Sequence, residues 1–218
     1  MKLLLTSAGI TNKTIEKALK DLLVKPFNKS NLVFIPTAAN VEEGGKEWLV
    51  EDMNNFLKLE FDQFEIADIS ALPRTIWEPR VTKADVIVFG GGNDFYLIDW
   101  VARSGLRELL PKLLKTKVYV GISAGSCVAG ELSVEASRDI YEEDPRFLNE
   151  SAGLEYINLI FLPHLNSQWF PKISKENVEK LAKVTNAPIY ALDDESALKV
   201  EGENLEIVSE GQFLIFND

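Results

Sequence analysis

The stretch Val118-Tyr119-Val120-Gly121-Ile122-Ser123-Ala124-Gly125-Ser126 reads as a buried strand that ends in a tight turn and continues as a helix. A serine between two glycines at such a junction has a specific physical meaning. The turn is too sharp for a Cβ at the flanking positions, and it forces the serine into strained backbone angles that push its hydroxyl outward. The helix that follows points unpaired N–H groups back at that hydroxyl, where an oxyanion would develop. A plain packing turn of small residues would carry the same letters, so the context on either side has to decide.

That context is a regular alternation. Lys2 to Thr6, Asn31 to Ile35, Phe64 to Ile69, Asp85 to Phe89 and Val118 to Ile122 are short apolar runs with β-branched residues and Gly or Pro flanks, as expected of buried strands. Thr14 to Leu23, Lys46 to Leu59 and Asp94 to Leu114 between them carry apolar residues at helical spacing. The pattern predicts an α/β fold, a three-layer sandwich with a mostly parallel sheet and helices on both faces. After a helix near Lys175 to Val184 and a strand at Ile189 to Leu192, three closely spaced runs follow at Ala197 to Val200, Leu205 to Val208 and Gln212 to Phe216. They predict an antiparallel C-terminal edge built as a meander. With 218 residues, 46% of them hydrophobic, the expectation is one domain over residues 1–218.

The charge balance narrows the partners. Against 23 Lys and Arg stand 34 Asp and Glu, a net charge of −11 with no basic run, which argues against nucleic acid and anionic membranes. The apolar run at Leu3 to Leu5 is too short for a signal-peptide core, and no window suits a membrane helix. A lone cysteine, Cys127, allows no internal disulfide and suits a reducing cytoplasm. With a single histidine besides, a structural metal site is not expected, and neither is a cofactor. The partner expected is a small peptide, with the protein acting as a monomer or homodimer.

Two further features could complete a site at the carboxyl ends of the strands. Gly90-Gly91-Gly92-Asn93-Asp94 follows a strand and opens a helix. It lacks the last glycine of a dinucleotide fingerprint, where Phe95 stands. Amides of Gly91 or Gly92 suit a second oxyanion donor, and Asn93 reads either as a helix cap or as a substrate contact. His164, the one histidine, follows the apolar run Leu159 to Pro163 and is the available base for Ser123. For the acid that orients it, Asp139 competes with Asp194 at a later strand end and with Glu135. Cys127 reads as a small buried residue.

With these residues in place, the sequence resembles the peptidase E family of serine peptidases, which includes aspartyl dipeptidases and, more distantly, cyanophycinases. The resemblance rests on Gly90-Gly91-Gly92-Asn93, Gly121-Ile122-Ser123-Ala124-Gly125-Ser126 and Pro163-His164. It implies a fold similar to class I glutamine amidotransferases, with serine replacing cysteine at the elbow. It also implies Ser123 as nucleophile, His164 as general base and Asp139 as orienting acid, with amides of Gly91 or Gly92 and Ala124 forming the oxyanion hole. The implied activity is hydrolysis of short peptides from a free N-terminus, with aspartate first. The family's aspartyl dipeptidases hold that aspartate with an arginine after the histidine, whereas the stretch Lys172 to Lys180 contains none. Arg138, Lys172 and Lys175 are the substitute cations, and Glu142, Glu143 and Asp144 are candidates for the substrate's α-ammonium. An α/β-hydrolase esterase would place its histidine later in the chain, and a glutaminase would need cysteine at 123. A non-catalytic binding protein on the same fold is the remaining alternative.

Overall fold

The computed structural model describes every residue except Glu150 and Ser151. Its main sheet has seven strands in the order β3-β2-β4-β5-β1-β8-β9. The parallel part comprises β1 (Lys2–Thr6), β2 (Asn31–Ile35), β3 (Gln63–Ile66), β4 (Val86–Phe89) and β5 (Val118–Ile122). Two antiparallel strands, β8 (Ser196–Glu201) and β9 (Asn204–Ser209), extend it beyond β1.

Side chains of a strand alternate between faces, and here both faces are buried. Leu3, Leu5, Val33, Ile35, Ile87, Phe89 and Tyr119 pack on one side, with helices α3 (Arg74–Lys83), α4 (Asp94–Arg103) and α5 (Leu106–Leu113). Leu4, Leu32, Phe34, Val86, Val88, Val118 and Val120 pack on the other, against α1 (Lys13–Leu23) and Phe56 of α2 (Glu47–Leu57). Such continuous apolar strands can be satisfied only between two helical layers, so the expected sandwich is what forms.

Three departures from the sequence reading have local causes. The single helix expected over Asp94 to Leu114 is two, because Gly105 adopts φ 79° and turns the chain between α4 and α5. Helix α3 shows little apolar periodicity, because it contains Pro79 and buries only Trp77 and Val81. The third departure is the meander, which stops at β9. The last strand, β10 (Phe213–Phe216), instead pairs antiparallel with β7 (Ile189–Leu192), which pairs parallel with β6 (Ile160–Leu162) in a separate three-stranded sheet. Asp193 ties β10 to the end of β7. Its amide donates to the Gln212 carbonyl at 3.0 Å while its carboxylate takes the Gln212 amide, which extends the β7–β10 ladder past Leu192. A Cβ on Gly211 would lie 2.1 Å from that carboxylate, so a side chain there would displace Asp193 from this hydrogen bond. Helix α7 (Lys175–Ala182) packs Val178 and Leu181 on this second sheet.

Candidate active site

Strand β5 delivers Ser123 into a turn at φ 48° and ψ −110°, a conformation that L residues avoid and that needs support from its surroundings. The support is visible. The Ser123 amide donates to the Thr6 carbonyl at 3.0 Å, and its own carbonyl accepts the amides of Ser126 and Cys127. The Ser126 hydroxyl accepts from the Thr6 amide and donates to the Thr6 carbonyl, locking the one-turn helix α6 (Ala124–Cys127) to β1. A Cβ on Gly121 would lie 2.6 Å from the Gly125 backbone, and one on Gly125 only 2.1 Å from the Phe89 carbonyl. Both glycines are therefore steric necessities of the elbow.

His164 follows β6 and Pro163, also in the left-handed region at φ 65°. Its Nε2 is 3.0 Å from the Ser123 Oγ, and its Nδ1 is 2.6 Å from Asp194 Oδ1. With Nδ1–H donating to the Asp194 carboxylate, Nε2 is left free to accept from the serine hydroxyl. The imidazole is only 12% exposed. Phe170 stacks on it at 4.4 Å between ring centres, inclined by 14°. Tyr141 meets Phe170 edge-on and donates to the Pro163 carbonyl at 2.9 Å.

Asp139, the acid expected from the resemblance, is not in this relay. It is 59% exposed and bound bidentately by Arg138 at 2.7 and 2.8 Å, which holds its carboxyl below the usual range. It lies on a π-helical turn, Ala136–Ile140, where an exposed carboxylate pairs with the adjacent cation. Glu135 is likewise exposed. Asp194, by contrast, sits two residues beyond the end of β7, next to Asp193. Strand alternation sends the two neighbours to different tasks, one to the β10 turn and one to the imidazole. A carboxylate at a strand end was the signal available in the sequence.

The oxyanion donors expected from the sequence converge. A Cβ on Gly91 would lie 3.3 Å from the Ser123 Cβ, so this backbone passes beside the hydroxyl. The amides of Gly90 and Asn93 are spent on Ile35 and Ala38 carbonyls, whereas those of Gly91, Gly92 and Ala124 meet no acceptor among the described residues. Gly92, at φ 128° and hard against the Ala38 carbonyl, permits no side chain.

The other expected contacts are spent on structure. Asn93 is buried and caps α4, its Oδ1 accepting from the Tyr96 amide at 2.9 Å, so it does not face a substrate. Glu143 takes the amides of Asp94 and Phe95 at the same helix start. Burial pushes the carboxyls of Glu143 and Asp94 upward, repulsion from Asp94 adds to the rise at Glu143, and the Ser137 hydroxyl donates to Asp94 at 2.8 Å. Cys127 is buried against Asp94, and burial lifts its thiol far above the reactive range. Glu142 pairs with Lys172 at 2.6 Å, Asp144 with Arg146, and Lys175 faces Glu179 at 3.8 Å.

Comparison with known proteins agrees with this architecture. Residues 3–208 match the family model described as Peptidase family S51. The chain belongs to that family. Among its relatives, Peptidase E of Shewanella oneidensis is 30% identical over 204 residues, covering 88% of this chain and 81% of the relative. An uncharacterized peptidase of Pasteurella multocida is 26% identical over 178 residues, covering 81% of this chain and 83% of its own. Among solved structures, a putative peptidase E protein from Listeria monocytogenes superposes with a TM-score of 0.79. The match covers 96% of this chain and 98% of that one at 22% identity, a likeness of fold. The family makes the protein a peptidase. No helix of the described residues is long and apolar enough to cross a membrane.

Proposed function

We propose that this peptidase is of the serine type and cleaves short peptides from a free N-terminus in the cytoplasm. The observation that carries this reading is the relay Asp194–His164–Ser123, with both hydrogen bonds in range at a strained elbow. In the reaction, Ser123 Oγ attacks the scissile carbonyl and passes its proton to His164 Nε2. Amides of Gly91 and Ala124 stabilise the oxyanion, and His164 returns the proton to the leaving amine. Water, activated by the same imidazole, then releases the acyl group from Ser123. Every one of these groups belongs to one chain, so a monomer suffices. The single thiol, buried and unreactive, fits a reducing compartment.

Aspartate at the first position is the preferred substrate side chain in this reading. All three candidate cations already face a carboxylate: Arg138 is bound bidentately to Asp139, Lys172 to Glu142 at 2.6 Å, and Lys175 faces Glu179 at 3.8 Å. Lys172 fits best because Phe170 in the same loop stacks on His164, and a substrate aspartate would take the place of Glu142 on it. Lysine gives a point charge instead of a bidentate fork, so selectivity for Asp over Asn should be modest.

Two measurements test the reading. Ser123→Ala should abolish fluorophosphonate labelling and reduce hydrolysis by several orders of magnitude, and activity within about tenfold of the parent would reject it. Hydrolysis of Asp-Leu, Asn-Leu, Ala-Leu and N-acetyl-Asp-Leu should rank Asp-Leu first. Undiminished cleavage of the acetylated peptide would leave a serine peptidase that does not need a free N-terminus, such as one acting on cyanophycin-type chains.

A further inference from the structure

A peptide with a free N-terminus brings an ammonium group next to its scissile carbonyl, and that group needs an anion. The acidic run near residue 143 does not supply one, since Glu142, Glu143 and Asp144 are held by Lys172, by the α4 amides and by Arg146. Asp52 differs from all of them. It is half-buried, yet among the described residues no cation or hydrogen-bond donor meets its carboxylate. Loss of hydration, with a small contribution from Glu51, pushes it up to about 7. A carboxylate withdrawn from water without a partner is costly to keep.

Its position is suggestive. Asp52 Oδ1 lies 3.4 Å from where a Cβ would project from Gly9, a spot that the Ile122 side chain flanks at the same distance. Gly9 is in the loop after β1, tied by its amide to the Thr6 hydroxyl, while the Thr6 carbonyl holds the Ser123 amide. One helical turn earlier on α2, the Trp48 indole comes within 3.6 Å of the corresponding point on Gly91, and the Ser123 Cβ lies 3.3 Å from that same point. The α2 face therefore brings an aromatic ring against Gly91 next to Ser123 and, one turn on, a carboxylate with no partner among the described residues against Gly9 in the loop after β1.

We propose that Asp52, flanked by the Trp48 indole, forms the subsite for an alkylammonium group of the substrate, either the α-ammonium of a short peptide or a lysine side chain. The assignment rests on the serine-peptidase reading above for the position of the scissile bond. A lone carboxylate beside an aromatic face suits a compact ammonium, which gains a charge-assisted hydrogen bond and a cation–π contact. A guanidinium would leave most of its five donors unpaired there.

Calorimetric binding to the full chain carrying Ser123→Ala separates the subsite from the chemistry. Asp-Leu should bind at least about tenfold more tightly than N-acetyl-Asp-Leu, and adding Asp52→Asn should erase that difference while Asp52→Glu keeps part of it. If the lysine side chain is the occupant, the Asp52-dependent gain appears instead between N-acetyl-Lys-Leu and N-acetyl-Leu-Leu. Discrimination that is unchanged by Asp52→Asn, or no measurable binding of any of these peptides, overturns the proposal. Fluorophosphonate labelling of the parent chain reads the Ser123 reaction independently. Labelling together with Asp52-independent binding rejects the subsite alone. Asp52-dependent binding without labelling rejects the hydrolase reading alone.

Discussion

Two acidic runs in this chain look alike as text and behave differently in space. Asp139 to Asp144 and Asp193 to Glu195 each place several carboxylates together near a predicted strand or turn. In the first run every carboxylate finds a local partner: Asp139 takes Arg138, Glu142 takes Lys172, Glu143 takes a helix start and Asp144 takes Arg146. In the second, the direction of each side chain is set by the end of β7, so Asp193 must fix β10 and Asp194 must face His164. A carboxylate on an exposed turn goes to the nearest cation, whereas one at a buried strand end goes where the sheet sends it. The second kind can be held still without a competing charge, which is what orienting an imidazole requires.

The largest effect should follow Asp194→Asn. An amide at that position would favour the wrong imidazole tautomer, and kcat/KM should fall by up to about 10⁴, the size seen in the type case of such triads. Dipeptide hydrolysis at neutral pH measures it, and a loss under about tenfold would break the comparison in favour of the first run.

Next in size is a stability effect within the first run. The raised carboxyls of Glu143 and Asp94 mean that the folded state holds a proton which the unfolded chain, with ordinary carboxyls, releases at neutral pH. Stability should then decline as pH rises from about 4.5, where the unfolded chain releases the proton, to about 10, where the folded Glu143 carboxyl does, and level off above. Glu143→Gln replaces the neutral carboxyl by a neutral amide, so it should raise Tm at pH 8 by about 3–6 °C and flatten that decline. Thermal melts from pH 6 to 10 would show both.

A smaller shift of the same sign is expected at Asp52. Its carboxyl titrates near 3.8 when unfolded and about 7 when folded, so its ionisation opposes folding above neutral pH and has no effect below about 4. Asp52→Asn should therefore raise Tm at pH 8 by about 2–4 °C without ligand, with the gain shrinking as pH falls from 7 toward 4. A lower Tm at pH 8 would mean that the carboxylate has a stabilising partner after all.

The smallest change should be Asp139→Asn. The residue is exposed and paired only with Arg138, so kcat/KM should stay within about threefold of the parent and Tm within about 1 °C. A severe loss here, with Asp194→Asn mild, would reverse the assignment.

The parallel strands and most helices were legible because their apolar periodicity is strong and both faces of the sheet are buried, leaving little room for another reading. The elbow was legible for a related reason: the strain at Ser123 excludes side chains at 121 and 125, and that exclusion is written as glycine. His164 was found by scarcity, being the one imidazole available to a serine. The break at Gly105 and the helix around Pro79 were hidden because one residue inside a helical pattern says little about where the chain bends. Asp52 and Trp48 carried no signal at all, since on α2 they look like any amphipathic pair.

By itself, then, the sequence determined the layers of this peptidase, the serine, the histidine and the glycine backbone beside them, because each is imposed by local geometry or by the absence of an alternative. Only the tertiary structure decided which carboxylate reaches His164, that β10 leaves the main sheet for β7, and that Asp52 comes to rest against Gly9 with no partner among the described residues. Those outcomes depend on which residues distant in the chain become neighbours. Carboxylates are numerous and chemically interchangeable in this acidic chain, so their roles are set by position in space and not by their letters.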